Sequence, residues 1–153
     1  MEIIELSDRS DIYGDAVATR RFNSLKKLLA ELRNRNIEDE IIIYINREIE
    51  MLNSFKGHAG IVSSELKRVY KRILHMLEKK QKLVTKNYYR NQWMAIGMAV
   101  FGLPLGVILG KVVGNMGLIG AGLPIGMIIG MIVGEGMDNK AEKEGRILKA
   151  GEK

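Results

Sequence analysis

The chain has 153 residues, no cysteine and a formal net charge of +6. The missing thiols exclude disulfides and thiolate-held metals, and a mean hydropathy near zero conceals two unlike halves. Residues 1–55 carry 8 Lys/Arg against 11 Asp/Glu, residues 56–90 carry 10 against 2, and residues 91–153 carry 6 against 5. A basic band that abuts an apolar stretch predicts attraction to anionic lipid headgroups. Nucleic acid is the competing reading of any basic block, and it is the weaker one because no nucleic-acid motif accompanies this band.

Residues 1–15 hold turn formers and acids (Ser7, Asp8, Ser10, Asp11, Gly14, Asp15) and are expected to form a flexible lead-in. The opening MEIIELSDRSD lacks a basic region followed by an apolar run, so it does not read as a secretory signal. Asp15 is a candidate N-cap for a helix over 16–34, whose Phe22, Leu25, Leu28, Leu29 and Leu32 recur at helical spacing. A second helix over 38–55 opens on Glu38, Asp39 and Glu40, which suit the positive end of a helix dipole. Gly57 is expected to stop it, with the sequence GHAG as the turn. A third helix over 62–86 carries Val62, Leu66, Val69, Ile73 and Leu77. Residues 16–90 thus read as an amphipathic helical bundle near the lower size limit for an independent core.

From Asn91 to Gly134 the only charge is Lys111. Forty-four helical residues would extend about 66 Å, too far for one crossing of a ~30 Å hydrocarbon layer. Two spans, near 92–112 and 117–135, fit instead. Tyr88, Tyr89, Arg90 and Trp93 precede the first span as interface residues. Lys111, near the connection, either reaches the far interface or faces an oligomer axis as a cationic ring. Residues 137–153 read as a charged tail. Basic residues flank both outer ends of the pair, placing both termini in the cytoplasm and the hairpin in the cytoplasmic (inner) membrane.

Within the spans, Gly102, Gly106, Gly110 and Gly114, then Gly122, Gly126, Gly130 and Gly134, keep a four-residue beat. The phrases GLPLGVILGKVVG and GLPIGMIIGMIVG that carry them are near copies. Such spacing lets helix backbones approach closely in lipid. If the chain reverses at Met116, Gly102 lies level with Gly130, Gly106 with Gly126 and Gly110 with Gly122. Gly97, Gly117 and Gly120 add small surface off this stripe. Pro104 and Pro124 hold equivalent places in the two repeats; each removes a helix hydrogen bond and is a candidate hinge.

The eight glycines and their repeated phrases resemble the glycine-zipper two-transmembrane hairpins of small bacterial membrane proteins. The resemblance covers about 45 residues, within 91–136, and implies close helix packing with homo-oligomerisation. Proteins with such zippers include channels, membrane-perturbing proteins and anchors without a transport role. Residues 1–90 carry no family resemblance.

Sites for chemistry fail one by one. Gly110-Lys111 lacks both the leading glycine and the following Ser/Thr of a phosphate loop. A dinucleotide fingerprint from Gly120 and Gly122 would need glycine where Ile125 stands. His58 and His75, the only histidines, have no ligand arrangement around them, and no serine sits in a GxSxG elbow. No enzyme, cofactor or metal is expected. The chain is expected to be all-α, a small cytoplasmic helical bundle followed by a glycine-zipper transmembrane hairpin. Two functions follow: a homo-oligomeric pore-forming or membrane-perturbing protein, or a non-conducting anchor or scaffold that recruits a cytoplasmic protein partner.

Overall fold

A computed structural model describes residues 1–115, 117 and 119–151, and the chain is mostly helical. It divides into two units, Met1–Thr85 with Leu148–Lys153, and Lys86–Ile147.

In the first unit, α1 (Ala16–Arg33) starts where Asp15 accepts the N–H groups of Val17 and Ala18, both at 2.9 Å. A cap of this kind contributes about 1 kcal/mol. Its apolar stripe is buried from Phe22 to Leu32. Helix α2 (Asp39–Ser54) turns Ile41, Ile42, Ile45, Ile49 and Leu52 inward, and its acids Asp39 and Glu40 sit in the first turn. It ends at Phe55, which is extended, and Gly57 is not left-handed. The expected glycine stop is therefore wrong: a short extended stretch leads directly into α3 (Ala59–Gln81), which already includes Ala59 and Gly60 of the expected turn.

Helix α3 stops five residues short of the expected 86. Lys82 adopts φ 56° and donates to the Glu78 carbonyl at 3.0 Å, while Leu83 N–H reaches back to Leu77 at 3.3 Å. This is a left-handed helix terminus with its following apolar residue, Leu83, buried. Lysine disguises the stop in the sequence, because glycine is the usual occupant. Between α2 and α3, the buried Glu48 carboxylate lies 3.0 Å from Arg72, which also pairs with Glu65 at 3.0 Å.

The expectation of a flexible lead-in is also corrected. Ile3, Leu6 and Ile12 are in the core. Two asparagines on one face of α2, seven residues apart, grip the extended backbone between them. Asn46 accepts from Ile4 N–H at 2.9 Å and donates to the Glu2 carbonyl at 2.9 Å. Asn53 repeats this with Ser7 N–H at 3.0 Å and the Glu5 carbonyl at 3.1 Å. Each amide thus does for the strap what a neighbouring β-strand would do. Arg33 adds hydrogen bonds to the carbonyls of Ile3 and Ile4, at 3.1 and 2.9 Å.

The charged tail is a fourth correction. Two-residue strands β1 (Val84–Thr85) and β2 (Ile147–Leu148) pair in a small sheet. Leu148 is fully buried in the first unit's core, and Glu31 accepts the N–H groups of Lys149 and Ala150 at 3.1 and 2.8 Å. An apolar residue among charges, with no periodicity around it, gave no sign of this.

The second unit holds two long antiparallel helices, α4 (Tyr88–Val113) and α5 (Ile119–Lys143). Helix α4 contains a π-helical turn, Met98–Gly102, between α-helical parts Tyr88–Gly97 and Leu103–Val113.

Candidate membrane-spanning helix pair

The second unit inverts the usual arrangement of a folded protein. Its interior is backbone: Gly97, Gly102, Gly106, Gly110, Gly122, Gly126, Gly130 and Gly134 are buried. Large apolar side chains point outward, with Val112 79%, Ile132 66%, and Val100 and Ile108 each 56% exposed. Both helices are long and apolar enough to cross a membrane, and only 22% of each apolar window is buried. A water-exposed apolar surface of this extent is unusual for a soluble monomer, whose patches rarely exceed a few hundred Å².

The seam admits no side chain. A Cβ on Gly130 would fall on the Trp93 carbonyl, and one on Gly106 on the Ile119 carbonyl. At Gly122 it would lie 2.6 Å from the Gly106 Cα, and at Gly126 2.6 Å from the Gly102 Cα. Contact of this closeness is what small residues give membrane helices in place of a hydrophobic driving force.

Seven of the eight stripe glycines are buried, but the register and one member differ from the expectation. Gly102 lies against Gly122 and Leu123, not Gly130, while Gly130 lies against Trp93 and Met94. Ile119, the first residue of α5, meets Gly106 in a helix that runs on to Val113. The expectation assumed equal rise on both sides of the connection, and that does not hold. The expected reversal point, Met116, is outside the described residues. Gly114 leaves the stripe altogether. It adopts φ 71° and ends α4, with Asn115 N–H bonded to the Gly110 carbonyl at 2.9 Å, and nothing lies within reach of a Cβ there.

Gly97 takes its place in the seam, against Gly130 and the Gly126 carbonyl. Five residues separate Gly97 from Gly102, a step that would leave the face of an α-helix. The π turn between them has i→i+5 bonding, with Leu103 N–H donating to the Met98 carbonyl, so five residues make about one turn. Gly97 returns to the seam as a result. Pro104, two residues further on, sits at the start of the α-helical part that follows the π turn, whereas Pro124 lies inside α5.

Asp138 extends the four-residue beat beyond Gly134, and this is the site residue the sequence reading missed. It is buried, and its carboxylate accepts Tyr89 N–H at 3.1 Å and Arg90 N–H at 2.9 Å. Asn87, at the N-cap position of α4, is left-handed and makes no side-chain cap bond. The opposite helix therefore caps α4. The signal was present as an acid in phase with the glycines.

Of the expected interface residues, Tyr88, Tyr89, Arg90 and Trp93 are half-buried along the first turns of α4, with Tyr88 and Tyr89 rings edge-to-face at 5.2 Å. Lys111 is exposed in the last turn of α4. His58, at the N-cap position before α3, and His75, within α3, are both exposed, and among the described residues no group of His, Cys, Asp or Glu could hold a metal. No protein-family model, curated protein or solved structure matches the chain.

Proposed function

We propose that this chain is a non-conducting membrane anchor: α4 and α5 form a two-span hairpin that tethers the three-helix unit to the inner membrane as a scaffold for a cytoplasmic protein. The observation that carries this reading is the inside-out second unit, with glycine backbone buried and large apolar side chains outward on both helices. In a bilayer those side chains meet acyl chains, and the helices bond their backbone internally except where Pro104 and Pro124 remove a donor. Lys86 and Arg90 at the outer end of α4, and Lys140 and Lys143 in the last turn of α5, suit an anionic cytoplasmic leaflet, which keeps both termini on that side.

The pore reading loses support because the glycine seam is already filled within one chain. An oligomer built through the same glycines would have to open the hairpin. Oligomers through the outer apolar faces remain compatible with an anchor, since they need no glycine stripe.

The test has two parts on one preparation. The protein should resist alkaline carbonate extraction from membranes, and release into the supernatant would overturn the anchor. Dye-loaded liposomes should stay intact at high protein density. Leakage that Gly126→Leu suppresses would establish the pore instead.

A further inference from the structure

A groove of about 980 Å³ runs between α1 and α3 of the first unit, from Gly14 and Asp15 at one end to Lys27 at the other. Its apolar lining comes from buried Leu66 together with Ala16, Tyr70 and Ala150. Its walls carry Arg20, Arg21, Lys27 and Lys67 against one carboxylate, Asp15. That carboxylate is engaged in capping α1, and Arg21 is engaged with Ser63, donating to its hydroxyl at 2.7 Å and its carbonyl at 2.9 Å. The side chains of Arg20, Lys27 and Lys67 make no ion pair or hydrogen bond among the described residues.

Three cations without a partner among the described residues, beside an apolar trough, define the complement of an anionic amphiphile. Free phosphate would satisfy the cations and leave the trough empty, because the volume is that of a drug-sized ligand site. A neutral amphiphile would fill the trough and leave the cations bare. Burial and the Glu31 charge hold the Tyr70 hydroxyl protonated above the usual tyrosine range, so it stays a donor there.

We propose that the α1–α3 groove binds a phospholipid with an anionic headgroup, its phosphate held by Arg20, Lys27 and Lys67 and the start of its acyl chains lying over Leu66 and Tyr70. The choice of lipid over an acidic peptide rests on the anchor reading, which makes anionic lipid the amphiphile at highest local concentration. The first unit would then be not only tethered to the bilayer but responsive to its headgroup composition.

The full chain in uncharged detergent, carrying an environment-sensitive dye on Ser24→Cys, reports the groove directly, since the chain has no other cysteine. Titration with a short-chain phosphatidylglycerol, below its own micelle concentration, should give a saturable response. The matching phosphatidylcholine should bind at least about tenfold more weakly, as should phosphatidylglycerol to the Lys67→Glu or Arg20→Glu chain with unchanged helical circular dichroism. Equal responses to the two lipids, an equal response to inorganic phosphate alone, or tighter binding of an acidic peptide would each overturn the proposal. Micelle titration does not depend on spanning, so carbonate-extractable protein that still binds the lipid would refute the anchor while leaving the groove intact.

Discussion

Asp138 on α5 caps α4 through Arg90, whose N–H it binds at 2.9 Å beside that of Tyr89 at 3.1 Å. The glycine seam would by itself tolerate sliding, because every fourth residue offers the same small surface. A buried carboxylate bonded to two specific amides removes that degeneracy. Gly134 supports it from one turn away, where a Cβ would stand 2.8 Å from the Arg90 nitrogen.

Replacing Asp138 with Ala should therefore loosen the base of the pair by about 0.5–2 kcal/mol, the usual worth of a cap. Amide hydrogen exchange in micelles should accelerate at Tyr89 and Arg90 first, with residues near Gly106 little changed. Uniform acceleration along α4 would show that the cap does not act locally.

The glycines divide into two groups with opposite expected signs. Gly126→Ala and Gly130→Ala put a methyl onto backbone of α4, so the helices must separate at a cost of about 1–3 kcal/mol. Gly120→Ala and Gly136→Ala meet nothing within 4 Å among the described residues and should stabilise their helix by up to about 1 kcal/mol. Unfolding of the four variants in one detergent separates the groups. Destabilisation by all four to the same extent would contradict the seam.

The strap over α2 depends on amides that both give and accept. Asn53→Asp keeps an acceptor for Ser7 N–H but sets a carboxylate against the Glu5 carbonyl. Asn53→Ala removes both bonds, at roughly 1 kcal/mol each. Either change should expose residues 1–12 to limited proteolysis, with α1 to α3 still resistant. Unchanged cleavage in the Asn46→Ala, Asn53→Ala double variant would mean that Ile3, Leu6 and Ile12 hold the strap alone.

The strap also has a pH dependence. Arg9 grips Asp11 through two hydrogen bonds, at 3.0 and 2.7 Å, and donates to the Leu52 carbonyl at 2.9 Å. The hydrogen bond from Arg9 is the main cause holding the Asp11 carboxyl below its ordinary value of 3.8. A depressed folded value contributes stability that is complete above 3.8 and is lost as pH falls through the folded value. Strap proteolysis should rise on acidification below that point, and Asp11→Asn should flatten the rise. A strap that opens equally in both proteins would locate the titration elsewhere.

Much of the helical plan was legible because its signals are local. Asp15 announced α1, and the stripe from Phe22 to Leu32 announced its buried face. The eight glycines and the apolar run announced two long helices. What escaped depends on partners distant in sequence or on unusual helix geometry. Asn46 and Asn53 read as surface polar residues until a strap lies across them. Lys82 ends α3 in a conformation the sequence assigns to glycine. Gly97 looked out of phase because its phase is restored only by the π turn. Asp138 was in phase with the stripe, but an acid near a basic flank draws no attention as a helix cap.

The most direct test of a two-span hairpin is sidedness, and a chain without cysteine makes it simple. Single cysteines at Ser64, Val107 and Asn115 can be probed with a membrane-impermeant maleimide on sealed vesicles of known orientation. In a two-span hairpin Asn115→Cys reacts only from the face opposite Ser64→Cys, and Val107→Cys reacts from neither. Reaction of Asn115→Cys and Ser64→Cys from the same face would contradict it.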